Sequence, residues 1–81
     1  MNNELVPFSE LAQSLKPGEY RHFKGGSYTV LSVAKHSEDP TKEFVVYKSN
    51  ATNQTWIRPL EMFIENVDRD GYKGPRFKFV A

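Results

Sequence analysis

Apolar positions along this chain change their period once. Phe8, Leu11, Ala12 and Leu15 recur at i, i+3, i+4 and i+7, the spacing that gathers side chains on one face of a helix. Ser9 stands where an N-cap is wanted, Glu10 suits the first turn, and Lys16-Pro17-Gly18 supplies the stop, which predicts a short helix over residues 9–15. So short a helix has no independent stability, and its apolar face must lie on the rest of the domain. Beyond Gly18 the helical period gives way to runs rich in Val, Tyr, Phe, Thr and Trp at 20–23, 28–36, 43–48, 54–58 and 77–80, each read as a strand. Gly25-Gly26, residues 38–41, residues 49–53 and Asp70-Gly71 carry the turn chemistry between them. Pro59 opens a single helical turn at 59–63, because a proline at a first helical position lacks only an N–H that would be unpaired anyway.

Length decides how these pieces assemble. A chain of 81 residues holds one core and buries only about 60 % of the surface its unfolded form exposes. With no cysteine, neither a disulfide nor a thiolate zinc site can staple it. Six Phe, four Tyr and one Trp take over that task, since each ring buries roughly 150–250 Å². Five short strands are too few for two full sheets. The expectation is therefore a mainly β fold: a five-stranded antiparallel SH3-like barrel over residues 17–81, with residues 1–16 as an N-terminal extension that carries the short helix. No apolar run reaches the roughly 18–20 residues that span a bilayer, and the first residues lack the basic and apolar regions of a signal peptide, so a cytoplasmic location is expected.

Charge adds a local asymmetry. The formal net charge is +1, too small to mark the whole molecule as a polyanion binder. Yet residues 20–37 hold Arg21, Lys24, Lys35, His22 and His36 with no acid, whereas residues 61–70 hold Glu61, Glu65, Asp68 and Asp70 against Arg69 alone. Any site for an anion has to be a patch.

With the strands placed, the chain resembles a small family of bacterial domains of unknown function, the DUF1653-like proteins. The pattern runs G-x-Y-R-H-F-K-G (Gly18, Tyr20 to Gly25), Y-x-V-x-x-V-A-x-H-S-E (Tyr28 to Glu38), V-V-Y (Val45 to Tyr47), W-[VI]-R-P-x-x-M-F (Trp56 to Phe63) and G-x-x-x-P-R-F (Gly71 to Phe77). The resemblance covers residues 17–79 and leaves the N-terminal extension outside. It departs at Asp39, where the family pattern has Thr, and at Ser49-Asn50-Ala51, where it has an L-Y-G-like turn; both positions are in turns and bear on loop shape. The resemblance implies no particular activity, because none is assigned to the family.

Candidate chemistry rests on the residues themselves. Alternation along the first strand sends Tyr20 and His22 to one face, with Lys24 continuing it, and Arg21 to the other. His36 and Glu38 share a face two residues on, close enough for a carboxylate to orient an imidazole base, although such a pair also serves simply to finish a hairpin. Trp56 and Arg58 share a face of the fourth strand, where the indole has two readings, core anchor or stacking surface. His22, His36 and Glu38 are too few and too scattered in sequence to read as a metal site, and no cofactor is implied. The leading expectation is a non-enzymatic binding module for an anionic or aromatic partner, RNA or single-stranded nucleic acid in particular, through Tyr20, Arg21, His22, Lys24, His36, Glu38, Trp56, Arg58 and Arg76. A second is a small hydrolase or transferase with His22 or His36 as base, Glu38 as orienter and Arg58 or Arg76 as anion anchor. A third is a peptide-binding adaptor with an exposed aromatic groove of little positive potential.

Overall fold

The computed structural model describes residues 6–81. Helix α1 (Glu10–Ser14) begins where the capping signal put it: Ser9 Oγ accepts the Ala12 amide at 3.1 Å, and Ala12 is buried in the core. The strands follow as β1 (Gly18–His22), β2 (Ser27–Lys35), β3 (Glu43–Ser49) and β4 (Thr55–Pro59), then helix α2 (Leu60–Ile64), then β5 (Asn66–Arg69), β6 (Tyr72–Pro75) and β7 (Phe77–Phe79). Pro59 precedes α2 as its cap rather than occupying its first turn.

The main sheet is antiparallel with the order β4-β3-β2-β1-β7, and β5 and β6 form a separate hairpin. The expected barrel is therefore not closed, since β4 and β7 pair on one side only. The physical reason lies between them. Helix α2 drops Leu60 and Phe63 into the core, and the chain that would have to bring β7 against β4 folds instead into the β5–β6 hairpin. That hairpin turns at Asp70 and Gly71 with φ of 52° and 79°, the left-handed pair that matches the twist of two-residue hairpins. Gly26 closes the β1–β2 turn at φ 97°, a conformation that side-chain-bearing residues rarely adopt.

Register decides which rings go inside. β1 pairs Tyr20 with Tyr28 of β2 and with Phe79 of β7, and His22 pairs with Phe77. Leu31 is an extra residue in the β2–β3 ladder, between Val30 and Ser32. This bulge lets Val30 and Val33, an odd number apart, both serve the inner face. At the centre Phe63 stacks on Phe77 with ring centroids 4.2 Å apart and an interplanar angle of 7°, and Tyr47 and Tyr20 meet Phe63 edge-on at 5.3 and 5.5 Å. Such pairs add about 0.5–1.5 kcal/mol each beyond the area they bury, which suits a domain without covalent staples. No helix among the described residues is long and apolar enough to cross a membrane.

Candidate functional site

One end of the inner face is a cleft rather than core. At the C-terminal end of β1, His22 points inward beside Phe77, 4.9 Å away and edge-on, and faces Tyr28 at 6.3 Å. From the far side, β4 alternates so that Trp56 and Arg58 share this inner face while Ile57 points out. Together with Tyr47 these residues wall a cleft of about 390 Å³, with Ser49 and Thr52 at its polar edge. Tyr47 and Phe77 are buried, whereas Trp56 is 48 % exposed.

Arg58 is tethered to the wall of the cleft. Its Nε donates to Tyr47 Oη at 3.3 Å, and its guanidinium carbon lies 5.6 Å from the centre of the Phe77 ring. The ion pairs among the described residues are Lys73–Asp68 and Arg76–Glu65, so Arg58 keeps its charge unneutralised. Arg76, only 15 % exposed, is tied to Glu65 through Nη2 at 2.6 Å, and its Nε is buried without a hydrogen-bond partner among the described residues.

His22 is kept neutral by this setting. Burial lowers its pKa first, and the positive fields of Arg58, Arg76, Lys24 and Arg69 lower it further. Its Nδ1 accepts the backbone amide of Lys24 at 3.1 Å, so the neutral ring carries its proton on Nε2. The neighbouring Phe23 is covered on several sides: it stacks on Tyr72 at 5.5 Å, lies 4.8 Å from His22, and has Arg69 and Lys24 over it at 5.4 and 5.8 Å.

A model of the DUF1653 family, proteins of unknown function, matches residues 18–79 of this chain. The chain belongs to the DUF1653 family. The crystal structure of a family protein from Bordetella bronchiseptica is similar to it, with 33 % sequence identity over 85 % of this chain and 91 % of that one and a TM-score of 0.77. Comparison with curated proteins returns no match.

In this DUF1653 chain the residues singled out from the sequence fall in four places. His22, Trp56 and Arg58 line the cleft, and Lys24 and Arg76 add positive field at His22. Tyr20 belongs to the core instead: it is 5 % exposed and its hydroxyl donates to the Lys16 carbonyl at 2.7 Å. Arg21 points to the opposite face of β1, beside Lys78. His36 and Glu38 lie beyond the far end of β2. His36 is nine positions beyond Ser27, the β2 neighbour of Arg21, a rise of roughly 30 Å along the strand that sets it at the opposite end from His22. His22, His36 and Glu38 are not brought together, so Glu38 is not placed to orient His22; among the described residues no three His, Cys, Asp or Glu side chains converge as a metal site would need. At its own end His36 Nδ1 accepts the backbone amides of Glu38 and Asp39 at 3.0 and 3.2 Å, so the partner that Glu38 offers is its amide, not its carboxylate. Lys35, grouped with the cations in sequence, donates to the Val6 carbonyl and lies over Phe8 at 4.5 Å.

Sequence reasoning missed Arg69 and Phe77. Arg69 sits among acids in sequence, and only the β5–β6 hairpin turns it towards Phe23. Phe77 carries no signal in sequence beyond its strand; its pairing with His22 makes it the wall against which the imidazole rests.

Proposed function

We propose that this chain is a small binding module whose cleft recognises an anionic partner bearing a flat ring, with RNA or single-stranded nucleic acid as the partner class. One observation carries the reading: an unneutralised guanidinium, Arg58, and a half-exposed indole, Trp56, project from one face of β4 into the same cleft. A guanidinium suits phosphate, and an open ring face suits a base. The positive fields of Arg76, Lys24 and Arg69 reach His22, which lines the same cleft. Pairing a cation with an open ring face is how single-stranded nucleic acid is held without sequence readout. A cytoplasmic setting goes with it, in keeping with a chain that has no cysteine. The enzyme reading has its elements divided: His22 and Arg58 share the cleft, whereas His36 and Glu38 lie beyond the far end of β2. The peptide-adaptor reading calls for a groove of little positive potential, which four cations around His22 do not make.

Trp56 is the sole tryptophan, so its fluorescence reports on the cleft. Titration with single-stranded oligonucleotides is expected to quench it saturably, with a Kd of about 1–100 μM at low salt that weakens as salt rises. No salt-sensitive quenching up to about 100 μM strand would end this reading.

A further inference from the structure

The number of free ring faces at the cleft limits what it can hold. Proteins that track a single strand line a groove with successive rings, one for each stacked base. Here most rings are already used by one another. Phe77 is stacked on Phe63 and carries Arg58 on its ring. Phe23 lies between Tyr72 and His22 under two cations. Tyr28 and Tyr47 meet each other at 5.7 Å and each meets Phe77 at 5.5 Å. Trp56 alone among them has no ring or cation partner among the described residues, and it is also the most exposed. Size agrees with that count. A cleft of about 390 Å³ sits at the low end of the roughly 300–1,000 Å³ range of small-ligand sites, room for one nucleotide and not for a run of them.

We infer that the cleft takes a single nucleotide unit, one base laid on Trp56 and its phosphate on the guanidinium of Arg58, and that it does not follow a strand. This rests on the binding reading above and narrows it. The imidazole of His22 lines the same cleft, and with its Nδ1 taken by the Lys24 amide its Nε2 is the nitrogen that carries a proton to donate. A path along the strand would need another free ring within reach, and the structure has used the nearest ones.

A length series tests the inference at near-physiological salt, where long-range attraction to a polyanion is damped. The full chain would be titrated with a 5′-mononucleotide, a trinucleotide and a dodecamer, followed by 15N shifts of the β4 and β1 amides as well as by Trp56 fluorescence. The inference expects affinity per nucleotide to stay within about threefold across the series, since no further base stacks. It also expects inorganic phosphate alone to bind at least about tenfold more weakly than the mononucleotide, and the Trp56→Ala protein, followed by shifts, to bring the mononucleotide down to the phosphate level. A rise of about five- to a hundredfold with each added base would overturn the single-unit site and leave the nucleic-acid reading standing. Phosphate binding as well as the mononucleotide would also overturn it, leaving an anion site without a base. If the dodecamer itself does not bind, both readings fall together.

Discussion

The molecule contains the same histidine device twice. After β1, His22 turns its Nδ1 onto the amide of Lys24, two residues ahead; after β2, His36 turns its Nδ1 onto the amide of Glu38, also two residues ahead. Locally the two turns solve one problem, the capping of an amide where a strand ends. Their surroundings differ. His22 leans on Phe77, Tyr28 and Phe23 in a field of four cations. His36 is exposed, with Phe44 at 6.1 Å as its ring neighbour, and its loop is closed by Asp39 and Thr41. A histidine at a hairpin is thus no site by itself. What makes one is the wall that distant strands and α2 build behind it.

If the core behind His22 is what separates the two ends, removing it has the largest effect. Phe63 is 1 % exposed and touches Phe77, Tyr47 and Tyr20. Phe63→Ala is expected to lower unfolding free energy by about 3–5 kcal/mol, a large share of the roughly 4–12 kcal/mol that a domain of this length has. Phe44→Ala, at the half-buried ring beside His36, is expected to cost about half of that or less. Urea unfolding of both variants measures the difference; equal losses would mean that the His22 end has no privileged core.

The next effect is a dependence on pH. Folding lowers the His22 pKa from 6.5, so between that value and the depressed one the unfolded chain binds the extra proton and the folded chain does not. Stability is then complete above pH 6.5 and declines as the pH falls through this window. His22→Gln is expected to flatten that decline, and His36→Gln to leave it as it is, with urea midpoints at pH 7.5 and 5 as the measurement. An anionic ligand should oppose the effect in part, because it offsets the positive field that adds to burial in lowering the His22 pKa. Should His22→Gln retain the wild-type decline, burial among cations is the wrong account of this residue.

Sequence period was enough to place α1, its Ser9 cap and the five strands of the main sheet to within a residue or two, because each carried its own apolar alternation and turn signals. It did not reveal β5 and β6. Asn66–Arg69 holds one apolar side chain and Tyr72–Pro75 includes a glycine and a proline, so only the Asp70-Gly71 turn between them was legible. The closed barrel was inferred from strand count, and strand count says nothing of the helix and hairpin that occupy the chain between β4 and β7. Rings were the hardest to sort. Tyr20 and Trp56 are both large, amphipathic and on strands, yet the first is core and the second is open. Tyr20 sits on β1, between β2 and β7, whereas Trp56 sits on β4, an edge strand paired only with β3. That difference belongs to strand order, which alternation along one strand cannot express.

The smallest effect belongs to the His36 end alone. Asp39 Oδ1 accepts the Thr41 hydroxyl at 2.5 Å and the Thr41 amide at 3.2 Å, a local turn of the kind that aspartate favours. These bonds, the hydroxyl foremost, hold the Asp39 carboxyl below its usual range. Because its folded pKa is the lower one, whatever stability it lends is present above 3.8 and is lost as the pH falls through the depressed value. Asp39→Asn keeps an acceptor oxygen but removes the charge. Amide exchange at Thr41 and Lys42 should therefore quicken, while the urea midpoint at pH 7 and the quenching of Trp56 by oligonucleotide stay as in the wild type. The loop lies beyond the far end of β2 from the cleft, and no cation around His22 comes from it. If Asp39→Asn nevertheless weakened oligonucleotide binding, the partner would have to touch both ends of the sheet. The two histidine turns would then be parts of one surface, and the contrast between them would lose its meaning.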